Sequence, residues 1–227
     1  MILDEQQKLA HSKVLIIGVG GLGSPVAMYL AASGVGHLVL SDFDRVDLSN
    51  LQRQIVHDST QIGQYKTLSA QSKLQALYPD IEISIINQTI SEDFLIKDDI
   101  DVVVDCSDNF ATRFIINAAC VHSGTPLVSG AALRWSGQVA VFLLAPQSPC
   151  YRCLYSDNEE EGEACSEAGI LAPLVGIIGS IQAVEVIKVL LGIGNPLSGR
   201  LLLFDALSMQ WRTLILHKDP ICPVCSI

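Results

Sequence analysis

A Rossmann-like α/β fold, with a doubly wound, mostly parallel sheet extended by antiparallel strands, follows from three observations. Short β-branched strands alternate with helical segments through the first half of the chain, a spacing that gives βαβ units with right-handed crossovers. Apolar residues are 49% of the 227 and charged residues only 17%, as strands covered on both faces require. Two Cys-x-x-Cys units, Cys150/Cys153 and Cys222/Cys225, stand far apart in the sequence. Their spacing suits one tetrahedral zinc ion that pins the C-terminal tail to the domain.

The elements follow in order. Residues 14–17 form a β-branched strand entering a glycine turn, and 22–33 read as a helix with Pro25 in its first turn. Strand 37–40, a helix over 62–77 stopped near Pro79, strands 81–86 and 102–104, and a helix over 109–121 complete the first half. In the second half, strands 127–131 and 138–144 flank a turn at Trp135-Ser136-Gly137, and a strongly apolar helix covers 176–191. Strands 201–204 and 211–216 close the chain before Cys222. Residues 156–167 hold six acids in twelve positions, and with few apolar anchors they are expected to form a mobile loop.

Composition excludes several classes. The apolar content rules out a disordered or collagen-like chain. A net charge of −10 argues against nucleic acid as the partner, since phosphate backbones call for an excess of Lys and Arg. The longest apolar candidate, 170–191, is interrupted by Pro173, Gln182, Glu185 and Lys188, so no membrane span is expected. Asp4 and Glu5 follow Met1-Ile2-Leu3 directly, unlike a secretory signal. A cytoplasmic location is the resulting expectation. Thiols stay reduced there, which favours metal ligation over disulfides.

Gly18-Val-Gly20-Gly21-Leu-Gly23 follows a strand and opens a helix. Glycines in that context let the backbone approach a phosphate while the helix N-terminus offers unpaired N–H groups. Asp42 ends the next strand, where a carboxylate can hold a ribose hydroxyl. This much fits NAD, FAD or ATP alike. Asp44, then Asn50, Arg53 and Lys66, and finally Asp108-Asn109 at the end of the fourth strand favour ATP. Two cations and a magnesium-holding carboxylate around one nucleotide are what nucleotidyl transfer requires. Of the seven cysteines, four are read as zinc ligands. Cys106 and Cys120 read as core, and Cys165 stands exposed in the acidic loop. Neighbouring carboxylates would raise its thiol pKa rather than activate it.

These segments resemble the ThiF/MoeB/HesA adenylyltransferases, relatives of the ubiquitin-activating enzymes. The matching pieces are the glycine turn, Leu48-Ser-Asn-Leu-Gln-Arg-Gln54, Gly63-Gln-Tyr-Lys66, Asp105-Cys-Ser-Asp-Asn109, both cysteine knuckles and Cys165-Ser-Glu-Ala-Gly169. The resemblance implies a single adenylation domain over 1–227, with a nucleotide-binding half at 1–125 and a carrier-binding and zinc half at 126–227. It implies that Mg-ATP is used to adenylylate the C-terminal Gly-Gly carboxylate of a ubiquitin-like sulfur carrier. In that scheme Gly18, Gly20 and Gly21 face the nucleotide and Asp42 takes the ribose. Asn50, Arg53 and Lys66 meet the phosphates, Asp108 holds Mg²⁺, and Cys165 links to the carrier during sulfur transfer. A homodimer and a sulfur donor of the cysteine desulfurase or rhodanese type are also implied.

Asp157-Asn158 after the first knuckle and Gln210-Trp211-Arg212 look more like the thiamine branch than the molybdopterin branch. One departure stands out. Family members usually open with Arg-Tyr-x-Arg-Gln, whose arginine crosses the dimer interface, whereas this sequence opens Met1-Ile2-Leu3-Asp4. The expectation is either a start further upstream or an enzyme that is slow or relies on another residue. Two other classes compete: a nicotinamide- or flavin-dependent oxidoreductase resting on the glycine turn and Asp42, and a non-catalytic module that binds ATP without turnover.

Overall fold

A computed structural model describes residues 3–89, 99–155 and 169–226. Along these the chain runs α1 (Leu3–Ala10), β1 (Lys13–Ile17), α2 (Gly23–Ala32), β2 (His37–Ser41), α3 (Lys66–Leu77), β3 (Glu82–Ile86) and β4 (Val102–Asp105). It continues α4 (Phe110–Ser123), β5 (Leu127–Leu133), β6 (Ser136–Phe142), α5 (Tyr151–Leu154), α6 (Ala172–Leu191), β7 (Arg200–Asp205) and β8 (Gln210–Ile215). The strands form one eight-stranded sheet in the order β3-β2-β1-β4-β5-β6-β7-β8. The first five are parallel, and β6 to β8 pair antiparallel. This is the expected parallel sheet with an antiparallel extension.

Both faces of β1 are covered. Val14 and Ile16 belong to one apolar cluster with Leu38, Leu40, Val102 and Val104, while Leu15 and Ile17 join Val39 and Val103 in another. Strand side chains alternate faces, so continuous β-branched runs are what a doubly covered strand needs. By contrast β8 is exposed at every position. Among the described residues it forms the edge of the sheet beyond β7, with Trp211 stacked on Phe204 at 4.1 Å.

The helix expected over 62–77 begins only at Lys66. Gly63 is left-handed at φ +88°, and Tyr65 is non-helical with ψ 137° and bridges to Arg45. The apolar helix begins earlier than expected, at Ala172, because Pro173 is tolerated in a first turn. This α6 is long and apolar enough to cross a membrane by length and composition. It packs on α1, α2, β4, β5 and β6, and its polar residues have partners inside the fold. Buried Gln182 donates to the Asp105 carbonyl at 2.8 Å. Glu185 accepts from the Leu197 N–H at 2.8 Å and from Lys188 at 2.5 Å. The acidic stretch 156–167 lies outside the described residues.

Candidate active site

β1 is flanked by β2 on one side and β4 on the other, so the chain leaves it in opposite directions across the sheet. Crevices at the carboxyl ends of such strands are where open α/β sheets bind ligands. A solvent-open cleft lies there, lined by the ends of β1 and β2 and by the segments that follow β1, β2 and β4. Of the ten nucleotide-site residues expected from sequence, Gly18, Gly20, Gly21, Asp42, Asp44, Arg53, Lys66, Asp108 and Asn109 line it. Asn50 does not. Its carbonyl instead accepts the N–H groups of Arg53 and Gln54 at 3.1 and 3.0 Å, so it shapes the turn that carries Arg53.

The glycine turn fits tightly against its surroundings. Gly18 is left-handed at φ +89°, and a Cβ on Gly23 would lie 1.9 Å from the Gly18 carbonyl oxygen. Only glycine at both positions allows that approach. Asp42 is engaged by backbone: Oδ2 accepts the Val19 N–H at 2.8 Å and Oδ1 the Asp44 N–H at 2.9 Å. Lys66 opens α3, almost wholly buried along its stem, and its ammonium donates to Asp44 Oδ2 at 2.8 Å. Arg53 is half-buried and donates to the Ser49 carbonyl at 3.4 Å. Asn109 caps α4, accepting the Thr112 N–H at 2.8 Å, and Asp108 stands exposed beside it. Backbone N–H groups, two cations and an exposed carboxylate therefore face one cleft, the donor set that transfer at a phosphate needs.

Beneath this surface lies a polar layer that the sequence reading did not assign to the site. Buried Asp105 accepts from the Ser107 N–H at 3.0 Å, the Ser107 hydroxyl at 2.6 Å and the Ser129 hydroxyl at 2.9 Å. Arg113, buried on α4, donates Nη2 to the Ser107 carbonyl at 2.8 Å and holds Nε 4.0 Å from Asp105 Oδ2. Burial works against the Arg113 charge, yet Asp105 and the nearby tyrosines outweigh it and raise its pKa. His57, also buried, sets Nε2 3.0 Å from the Val19 carbonyl and Nδ1 2.7 Å from the Ser69 hydroxyl. Burial pushes its pKa below the usual imidazole value, and Lys66 adds to the effect. Asp105 stands in the segment Asp105-Cys-Ser-Asp-Asn109 without an assigned role, and no motif marks Arg113 or His57.

The four knuckle cysteines meet. Their sulfurs all lie within 4.8 Å of one another, with Cys150–Cys222 at 3.7 Å, Cys153–Cys225 at 3.5 Å and Cys150–Cys153 at 4.0 Å. Tetrahedral zinc with Zn–S near 2.3 Å spaces its sulfurs by about 3.8 Å, so the cluster fits zinc. Asn117 of α4 supports it, donating Nδ2 to Cys150 Sγ at 3.7 Å and accepting the Tyr151 N–H at 2.8 Å. Cys106 and Cys120 are buried as expected, and burial raises both thiols, with Asp105 adding to the shift. Cys165 lies outside the described residues.

The ThiF family matches residues 1–224 of this chain. The chain is 50% identical over 226 residues to the sulfur carrier protein ThiS adenylyltransferase of Escherichia coli, covering 98% of this chain and 89% of that protein. It is 46% identical over 224 residues to the molybdopterin-synthase adenylyltransferase of the same organism, covering 98% and 90%. Among solved structures, E. coli MccB with ATP superposes with a TM-score of 0.86 over 97% of this chain and 68% of that one. At 24% identity that likeness speaks to the fold.

Proposed function

The chain belongs to the ThiF family and is an adenylyltransferase, and from that premise we propose that it activates a ubiquitin-like sulfur carrier of the thiamine pathway in the cytoplasm. The carboxylate of the carrier's terminal Gly-Gly attacks the α-phosphorus of ATP. The bond from that phosphorus to the bridging oxygen breaks, pyrophosphate leaves, and an acyl-adenylate remains. The observation that carries this reading is the gathering of Arg53, Lys66 and Asp108 around the glycine turn in one cleft. An oxidoreductase resting on the glycine turn and Asp42 alone has no use for that set.

Each residue has a task in this scheme. The N–H groups of Gly20 and Gly21 bind phosphate oxygens at a helix N-terminus. Asp42 orients the ribose with a carboxylate already fixed by two backbone N–H groups. Arg53 and Lys66 stabilise the negative charge that grows as pyrophosphate leaves. Asp108, with Asn109 beside it, is suited to hold Mg²⁺, which when bound neutralises phosphate charge. Zinc at Cys150, Cys153, Cys222 and Cys225 is assigned a structural role, because four protein ligands leave no open position for a substrate.

The half at 126–227 is proposed to receive the carrier. Its open edge at β8 exposes backbone partners together with Trp211, Leu214 and Ile215, a surface suited to strand addition. Cys165 is proposed to form a transient link with the carrier, and a cysteine desulfurase or rhodanese-type protein to supply sulfur. A homodimer is the proposed assembly. The thiamine branch is favoured by Gln210-Trp211-Arg212, and a molybdopterin-synthase small subunit is the second reading, on the 46% identity.

ATP–pyrophosphate exchange with carriers from each branch tests the assignment. Faster exchange with the thiamine-pathway carrier is expected, and a preference for the molybdopterin carrier reverses the branch. Exchange with neither, alongside tight NAD(H) binding, refutes the reading. Cys165→Ser is expected to retain exchange and lose sulfur transfer.

A further inference from the structure

The segment between β4 and α4 carries Asp108 into the cleft without regular secondary structure of its own. Something must fix its direction. Three bonds converge on Ser107. Its N–H and its hydroxyl both donate to Asp105 Oδ1, and its carbonyl accepts from Arg113 Nη2 at 2.8 Å. Asp105 is itself held from further sides by the Ser129 hydroxyl at Oδ2 and by Gln182 at its carbonyl. The residue before Ser107 is pinned too, since the Cys106 N–H donates to the Ile17 carbonyl at 2.8 Å.

The peptide between Ser107 and Asp108 is trans, and the C=O and N–H of a trans peptide point in opposite directions. Drawing the Ser107 carbonyl toward buried Arg113 therefore turns the Asp108 N–H away from Arg113. Among the described residues that N–H meets no acceptor. With the peptide flipped, a carbonyl oxygen would face the cleft and repel a phosphate. A buried ion pair adds little to stability compared with apolar side chains of the same size. A directional task on the neighbouring peptide gives it a reason to be there.

We propose that Arg113, acting with Asp105, is a positioning residue that clamps Ser107 at both ends and so aims the Asp108 N–H and carboxylate at the phosphates and magnesium of bound ATP. This rests on the adenylyltransferase reading above. Arg113 lines the floor of the cleft but acts through Ser107. Its Nη2 carries the bond to the Ser107 carbonyl, while its Nε has no hydrogen-bond partner among the described residues.

The test compares two ligands that share adenosine and differ in phosphates. Arg113→Met alone would strand a buried carboxylate, so the variant of choice is Arg113→Met with Asp105→Asn, which removes both charges together. Calorimetric affinity for Mg-ATP is expected to fall about tenfold or more, as for a small misplacement of a positioned group. The magnesium needed for half-saturation should rise with it, while adenosine affinity stays within about twofold of wild type. Arg113→Lys, whose ammonium can still reach the Ser107 carbonyl, should fall between and carries the test if the double variant does not fold. Unchanged Mg-ATP affinity in the folded variants overturns the clamp, as does an equal loss for both ligands. A wild-type protein that binds no ATP refutes the adenylyltransferase reading itself, and the clamp falls with it.

Discussion

The candidate nucleotide cleft and the cysteine cluster share α4, the cleft meeting Asn109 at its N-cap and Arg113 in its first turn, the cluster meeting Asn117 one turn further along. They are built on different plans. At the cleft the groups offered to a ligand are backbone N–H groups and partly exposed side chains on the segments after β1, β2 and β4, while the charges that hold them are buried beneath. At the cluster the groups that would hold zinc also join two distant segments of the chain. Cys150 and Cys222 are buried, and the two knuckles join segments separated by a large part of the chain. Altering the cleft should therefore cost rate and little stability, and altering the cluster should cost stability first.

The largest expected effect is at Lys66. Lys66→Met keeps the apolar stem and removes the ammonium, leaving Asp44 half-exposed and tolerable without a partner. Pyrophosphate exchange should drop by roughly 10²- to 10³-fold, the usual loss for one transition-state charge contact, with Tm shifted by no more than about 4 °C. A large Tm loss with proportionate rate loss would make the cleft as structural as the cluster and break the comparison.

Next comes Cys222→Ser, which should abolish zinc retention by elemental analysis and lower Tm by about 10 °C or more, since structural zinc contributes directly to folding. ATP affinity measured below the new Tm should change by less than about threefold, because the cleft is held by its own buried layer. If affinity collapses while Tm holds, the cluster belongs to the active site.

Asn117→Leu sharpens the picture with a smaller effect. It deletes the bond to Cys150 Sγ and the acceptor for the Tyr151 N–H. Zinc affinity by chelator competition should fall roughly 10- to 100-fold, as for other outer-shell partners of metal ligands.

These contrasts explain what the sequence made legible. The glycine turn, Asp42, Arg53, Lys66 and Asp108 stand close to strand ends and in motifs where residue type alone suggests the chemistry. The meeting of the four knuckle cysteines was legible through spacing. Arg113 and His57 were not, because a lone polar residue in sequence has the same appearance whether it is solvated or buried against a neighbouring peptide. Only the fold shows Arg113 reaching back to Ser107. The late start of α3 was hidden for a similar reason, since Gly63 stands in a pattern of helical periodicity that its left-handed backbone interrupts.

The smallest expected effect is a pH dependence from His57. Its folded pKa is lowered, chiefly by burial, so the unfolded chain binds the proton more readily. Stability from this group is then fully present above the ordinary imidazole value of about 6.5 and declines as pH falls from there toward the lower folded value. Chemical denaturation between those limits should show that slope, and His57→Gln should flatten it. An unchanged slope in the variant assigns the dependence to another group.

The reaction proposed for this cleft builds an acyl-adenylate on a carrier tail. Intact-protein mass spectrometry of a Gly-Gly sulfur carrier incubated with the enzyme, ATP and magnesium reads it directly. A carrier mass increased by one AMP is expected, lost when the final glycine is deleted and absent with Lys66→Met. An unmodified carrier, in the presence of an enzyme that demonstrably binds ATP, would contradict it and leave a nucleotide-binding module without transfer.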